Sequence, residues 1–322
     1  MIMLDWESLI EDSVFLVKEQ SSRVNRLNSL VIHDKGTTYP ILIDANYPFD
    51  NIDELYSKIE KAKMLLFSHG HLDHTAHAFY HQEKYRTPLF CPVQEKNYLT
   101  DLESLMERVG FTKLNLKSTY TMMVREYMKF QECTKVNSFT PGKDNFEFNY
   151  FIIETIHIPG HSPGHTAFKI FSKNNITKKI LYAADIGSHP YYGDLNSDLT
   201  KYRNSIDKLE EIYLNDDYIL VPAHGTYYID KDPEFFNRIR NKIDRNKQRI
   251  LEALKEKKSL SIRELVNKKV LNPEKRMREP IKDLYYLWDG GMIYQHLQEL
   301  LNEDRIKKIE HNGFLSNEYV LN

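Results

Sequence analysis

The sequence predicts a mixed α/β chain with a helical insertion and a small winged-helix-like unit at its end. Three observations carry this expectation. Short apolar runs alternate with turns and helical patterns along most of the chain, as layered α/β architectures require. Several of those runs end directly in His or Asp, so polar side chains gather where strands stop. After Pro233 the pattern turns almost wholly helical and closes on a hairpin signal.

Residues 14–17, 29–32 and 40–44 read as successive strands, with Asp34-Lys35-Gly36 turning between the last two. A helix is expected over about 51–62, capped by Asn51 or Asp53. The run 64–67 is the next strand, and a helix starts near Asp73. Two helical patterns follow, about 94–109 and 119–133, separated by Gly110 and the stretch 113–117. Their Met and Tyr residues suit either a helical hairpin on the core or a lid over an adaptable apolar pocket, with Met123 and Tyr127 as candidate pocket walls.

Strands resume at 146–153, 155–158, 179–184 and 218–221, with a helix of about 200–214 before the last. Residues 235–256 form one long helix, Ser261-Ile262-Arg263-Glu264 is a capping box opening a second, and about 279–302 make a third. Residues 305–309 and 314–321 flank Asn312-Gly313 as a hairpin, and three helices before a two-stranded wing describe a winged-helix-like unit. The expected division is 1–232, with the insertion at 94–133, and 233–322.

With 322 residues, 41% apolar and 28% charged, the chain has room for one large domain and a smaller one. Only Cys91 and Cys133 are present, too few for a disulfide framework or a thiolate metal cage, and a reducing cytoplasm is expected. The acidic start does not read as a signal peptide, and no membrane association is expected. From Lys231 onward 20 basic and 15 acidic residues give +5, whereas the preceding part holds 24 and 31, giving −7. Arg238, Arg240, Lys242, Arg245, Lys247 and Arg249 crowd one helix, which reads as a solvated face or as a stripe for a nucleic-acid backbone.

The chemistry gathers at Ser68-His69-Gly70-His71-Leu72-Asp73-His74, directly behind the strand 64–67. Imidazole and carboxylate at this density suit a borderline-soft divalent metal such as zinc. Other strand ends repeat the pattern: His161 in the Pro- and Gly-rich loop 159–165, Asp185 after 179–184, and His224 after 218–222. Ligands on loops above a rigid sheet form a common active-site design. His165 is a candidate to orient the His161 loop through a hydrogen bond.

The ordered set His-x-His-x-Asp-His, Gly-His, a lone Asp and Ala-His resembles the metallo-β-lactamase superfamily over residues of about 10–230. The resemblance implies an αββα sandwich, and, since relatives line the substrate mouth with loops in the region after Asp185, it makes Tyr191 and Tyr192 candidates to line that mouth. It also implies that His69, His71 and His161 hold a first metal, that Asp73, His74 and His224 hold a second, and that Asp185 bridges them. Ile43-Asp44-Ala45 is similar to an early strand of the family that ends in Asp, and the tail resembles the extension of the lactamase-beta-like endoribonuclease. Asp185 stands where zinc β-lactamases carry a cysteine, and His71 where flavodiiron proteins carry a glutamate.

The implied cofactor is a pair of divalent ions, zinc first, with iron or manganese as alternatives. The implied activity is hydrolysis by a metal-bridging hydroxide, with Asp73 orienting the water and shuttling its proton. The expected partner is a small ester-type substrate: a thioester, lactone or carboxylic ester. Single-stranded RNA cleavage is the alternative, and an iron persulfide dioxygenase ranks third. A homodimer is expected from the winged-helix-like tail.

Overall fold

Among the described residues, seven strands form the first sheet in chain order: β1 (Leu4–Ile10), β2 (Val14–Glu19), β3 (Ser29–Ile32), β4 (Ile41–Ile43), β5 (Met64–Leu66), β6 (Leu89–Pro92) and β7 (Asn137–Phe139). The computed structural model from which this is read describes residues 4–19, 27–110, 114–174, 178–274 and 282–322. Pairing is antiparallel from β1 to β4 and parallel from β4 to β7. The second sheet contains β8 (Asn145–Glu147), β9 (Phe151–His157), β10 (Thr166–Ser172), β11 (Lys179–Ala184) and β12 (Tyr218–Pro222), in the order β12-β11-β10-β9-β8. Only its β11–β12 pair is parallel.

Side chains alternate across a pleated strand, and here that alternation builds two cores from one set of residues. Leu16, Leu30, Ile32, Ile41, Ile43 and Leu66 face the second sheet and meet Ile153, Phe168, Ile170, Tyr182 and Val221. Val17, Val31, Leu42 and Leu65 face the other way, against helices α1 (Phe49–Ile59) and α3 (Ala78–Tyr85), which flank the short α2 (Leu72–Thr75). The far side of the second sheet is covered by α7 (Leu199–Asn215) and the first half of α8 (Phe235–Glu256), through Tyr202, Ile206, Leu209, Phe236 and Ile239. The result is helix, sheet, sheet, helix.

Between β6 and β7 lie α4 (Lys96–Thr100), α5 (Leu102–Val109) and α6 (Lys117–Met122), the last running into a π-helical turn at Met123–Tyr127. The tail adds β13 (Leu260–Ser261), α9 (Ile262–Asn267), α10 (Leu284–Asn302), β14 (Ile306–Ile309) and β15 (Glu318–Leu321), its strands ordered β13-β15-β14. The Ser261–Glu264 capping box is formed in both directions. The second half of α8 packs with α9 and α10, so one helix serves both the sandwich core and the tail core.

Several expectations are corrected. Helix α1 starts at Phe49 behind Pro48. Asn51 is not its cap but sends Nδ2 to Glu19 Oε1 at 2.7 Å, and Asp53 instead accepts from Tyr80 and Lys84. The first insertion helix is interrupted at Asp101, whose carboxylate caps α5 through the N–H groups of Glu103 and Ser104. The second is shorter than expected, because the backbone passes into the π turn. The strand expected over 146–158 breaks at 148–150 rather than at Glu154. There the Asp34 carboxylate accepts three successive N–H groups, from Asn149, Tyr150 and Phe151. Strands β1, β6, β7 and β10 were not anticipated. Lys113 and the expected start of the third tail helix at 279 fall outside the described residues.

Candidate metal centre

Strand ends deliver the polar groups, and two of them do so through strained backbone. Asp44, just past β4, has φ 48°, and Ala184, the last residue of β11, has φ 47°. A non-glycine residue in the left-handed region costs on the order of 1–3 kcal/mol and persists only where its surroundings enforce it. Each kink turns a carboxylate, that of Asp44 or Asp185, toward the same end of the sandwich.

Asp44 is fully buried and accepts four hydrogen bonds. Oδ1 takes the Ser68 N–H at 2.8 Å, while Oδ2 takes Ser68 Oγ at 2.6 Å, His74 Nδ1 at 2.9 Å and the Tyr182 hydroxyl at 2.9 Å. Charge-assisted bonds of this kind are about twice as strong as neutral ones. Because Ser68 Oγ spends its proton on Asp44, it accepts from His69 Nδ1 at 2.9 Å.

This decides where three imidazole protons sit. His69 Nδ1 faces Ser68 Oγ, His71 Nε2 faces Asp194 Oδ2 at 2.8 Å, and His161 Nδ1 faces the Tyr191 carbonyl at 2.7 Å. Carboxylates and carbonyls only accept, so the protons lie on those outer nitrogens. The inner nitrogens then present bare lone pairs to one another: His71 Nδ1 and His161 Nε2 stand 2.9 and 3.1 Å from His69 Nε2. Three converging lone pairs repel unless a cation lies among them. A tetrahedral zinc with Zn–N of about 2.0–2.1 Å sets its nitrogens about 3.3–3.4 Å apart, close to this spacing.

A second convergence adjoins the first. His74 has Nδ1 committed to Asp44, and its Nε2 lies 3.0 Å from Asp185 Oδ1. Both atoms are buried, and neither has a hydrogen-bond partner among the described residues. His224 Nε2 stands 3.2 Å from Asp73 Oδ2 and 3.8 Å from Asp185 Oδ1. The other oxygen of Asp185 faces the first group, with Oδ2 3.4 Å from His161 Nε2. Asp73, His74, Asp185 and His224 therefore offer four ligand atoms around one point, with Asp185 shared between two points. The donor set fits two divalent cations.

The electrostatics of the protein alone agree at the first point. Burial, reinforced by neighbouring imidazoles, holds His69 well below the usual histidine range, and burial with His71 brings His161 down to about 4. Burial opposes a charge on His74 as well, but the Asp185, Asp44 and Asp73 carboxylates outweigh it and push His74 well up. Burial likewise works against the Asp73 and Asp185 charges, yet the surrounding imidazoles hold both carboxyls ionised, well below the usual range. Neutral nitrogens at the first point suit metal ligation, whereas at the second the carboxylates favour a proton on His74 and His224 that a cation would have to displace.

His165 lies within reach of the first group but is already committed. Its Nδ1 is 3.1 Å from the Ile158 carbonyl, and its Nε2 accepts the Asp185 N–H at 3.0 Å. It ties the base of the His161 loop to the Asp185 backbone, an orienting role. Tyr191 has its ring edge-on to both His71 and His161, and its hydroxyl reaches Asp194 Oδ1 at 2.9 Å. Tyr192 is not placed to line a mouth: it is fully buried, with its hydroxyl 2.7 Å from His296 Nε2 on α10. Met123 packs beside the buried cluster of Leu72, Tyr120 and Val124, whereas Tyr127 is 69% exposed and belongs to none of the apolar clusters among the described residues.

Three residues that hold the site escaped sequence reasoning. Glu95, fully buried, accepts from Gly70 N and Arg108 Nη1 with Oε2, and from Ser162 Oγ and Gly164 N with Oε1. It thereby staples the His69–His71 loop to the His161 loop. Arg108 also donates from Nε to Asp194 Oδ2 at 3.1 Å, the oxygen that orients His71. The insertion thus contributes Glu95 and Arg108 to a buried network with Asp194 beneath the candidate ligands rather than only a cover above them.

The metallo-beta-lactamase superfamily model matches residues 24–224. The chain is 26% identical over 187 residues to the hydroxyacylglutathione hydrolase GloC of Haemophilus influenzae, covering 56% of this chain and 78% of that protein. It is 26% identical over 206 residues to an uncharacterized Mycobacterium leprae protein, covering 62% and 86%. A metallo-beta-lactamase family protein from Thermus thermophilus superposes with a TM-score of 0.73 at 15% identity, covering 98% of this chain and 100% of that one. A beta-lactamase domain protein from Burkholderia ambifaria gives 0.71 at 14% identity, covering 99% and 94%. At such identities these structures show a shared fold, and their coverage includes most of the tail.

Proposed function

The chain belongs to the metallo-beta-lactamase superfamily, and we propose that, as a metallo-hydrolase of that family, it holds two divalent cations and cleaves a small ester-type substrate. The observation that carries this reading is the placement of bare imidazole nitrogens and ionised carboxylates around two adjacent points that share Asp185. His69, His71 and His161 would hold one cation, Asp73, His74 and His224 the other, and Asp185 both. Zinc suits this set of nitrogen and oxygen donors, and iron or manganese would occupy it too.

When bound, such a pair supplies Lewis acidity and a water whose pKa falls toward about 7. The residues do the rest. Asp73 is the most exposed of the carboxylates, with about a third of its side chain open to solvent. Held ionised beside His224, it can orient the attacking water and take up its proton. The Glu95 staple and the Asp44 hub keep the ligands from rearranging, so little reorganisation is needed on reaction.

Two observations favour an ester over RNA. The Haemophilus influenzae relative is named for hydrolysis of a glutathione thioester. The basic helix α8 is largely neutralised: Arg238 pairs with Asp232, Arg240 with Asp207 and Glu210, and Lys247 with Glu299 and Glu303. Lys242 and Arg249 donate to the backbone carbonyls of Ser188 and Leu271. A track for a polyanion needs cations that are not already paired. The test is turnover of thioesters, lactones, carboxylic esters, phosphodiesters and single-stranded RNA by metal-analysed protein. Ester or thioester turnover insensitive to salt supports the proposal. RNA cleavage without ester turnover, or oxygen uptake with one iron per chain, would overturn it.

A further inference from the structure

Segment 191–197 carries the atoms that fix two of the three first-site imidazoles. The Tyr191 carbonyl accepts from His161 Nδ1, and Asp194 Oδ2 accepts from His71 Nε2. Ser197 Oγ donates to the His161 carbonyl at 2.8 Å and receives the Asp194 N–H at 3.1 Å. This segment rests on the tail helix α10, at a crossing with no room for a side chain. A Cβ on Gly291 would lie 1.7 Å from the Gly193 carbonyl oxygen, and one on Gly193 would lie 2.7 Å from the Trp288 carbonyl oxygen. A helix interior disfavours glycine, so Gly291 in α10 marks a packing requirement rather than a helical preference, while a Cβ on Gly290 would meet nothing nearer than 3.4 Å. One turn on, Gln295 Nε2 donates to the Ser197 carbonyl at 2.9 Å, and His296 receives the Tyr192 hydroxyl.

We propose that α10 sets the affinity of the first metal site, with Gly291 and Gln295 as positioning residues that hold segment 191–197 against His71 and His161. The C-terminal unit is then part of the metal centre, not an appendage with a separate task. Gly291 acts by letting two backbones touch. Gln295 acts through Ser197, which bonds the His161 backbone directly. This inference rests on the two-cation reading of the site.

The test is titration of the full-length, chelator-stripped chain with zinc against a chromophoric chelator, repeated with cobalt(II) to record its visible absorption. Wild type, Gly291→Ala and Gln295→Leu are compared. In Gly291→Ala the first-site Kd rises about 10–100-fold, the usual effect of losing a group that orients a ligand. Gln295→Leu moves it in the same direction by a smaller factor, and both alter the cobalt band of the three-histidine site while the second-site Kd stays within about twofold. If Gly291→Ala does not fold, Gln295→Leu carries the test. Folded variants with lowered Tm but unchanged Kd and cobalt spectrum would overturn this inference alone, leaving α10 a purely structural support. A wild-type chain that takes up no metal would overturn this inference and the two-cation reading together.

Discussion

His74 Nε2 stands 3.0 Å from Asp185 Oδ1 without a hydrogen bond, while its Nδ1 is held 2.9 Å from Asp44 Oδ2. An imidazole oriented from behind by a carboxylate, with its front nitrogen aimed at the buried oxygen of a second carboxylate, has the arrangement of a metal ligand. Asp44, the first residue past β4, sets that orientation.

Asp44→Asn therefore damages more than one contact. The amide keeps one acceptor and turns a donor toward groups that already donate, including Ser68 and His74. The expected outcome is a stability loss of about 3–5 kcal/mol, as when one partner of a buried charged network is removed. A weaker second metal site should accompany it. Urea unfolding of chelator-treated protein and zinc competition measure the two effects.

Arg108→Met leaves Glu95 and Asp194 buried without their shared counter-charge. A loss of about 3–5 kcal/mol is expected, read as a fall in the urea midpoint. Arg108→Lys should restore little of it, because one ammonium cannot reproduce the forked contact to two carboxylates.

Tyr192→Phe separates a core role from a pocket role. The hydroxyl bonds His296 inside the protein, so its loss should cost about 1 kcal/mol of stability and leave KM for any ester substrate unchanged. A KM effect with unaltered stability would restore Tyr192 to the substrate mouth.

His81 gives the pH dependence away from the metal. Burial, the dominant cause, lowers its pKa to about 3, so the ring is neutral in the folded protein at neutral pH. The unfolded chain titrates near 6.5 and takes up a proton below that value, so the contribution is complete above 6.5 and lost as pH falls toward about 3. Within that window the wild type should lose about 1.4 kcal/mol per pH unit more than His81→Asn, whose shorter amide keeps a partner for the Tyr56 hydroxyl. Unfolding free energies of both proteins at several pH values between 4 and 7 check the slope.

The proposed ligands were legible because they obey local rules. His69, His71, Asp73 and His74 share one short motif, and Asp185 and His224 each follow an apolar strand that announces itself. Strands β2 to β5 were legible for the same reason, since their apolar residues supply both faces of a sheet. Glu95, Arg108 and Asp194 were not, because they lie in three separate segments and meet only when the insertion folds under the His69 loop. Nothing in the spacing of an isolated Glu or Arg distinguishes a buried staple from a solvated charge. Strands β6 and β7 were missed because β6 ends in Pro92 and β7 carries the polar Asn137 and Ser138, so neither presents an unbroken apolar run. Tyr192 misled because aromatic residues beside a ligand loop suit a pocket and a core equally well.

The central claim is tested most directly by counting ions. Elemental analysis of the purified chain after equilibration with zinc and removal of the excess should find two per chain, and Asp185→Ala should bring the count below two. A wild-type chain that retains no ion, or an Asp185→Ala chain that still retains two, would contradict the account.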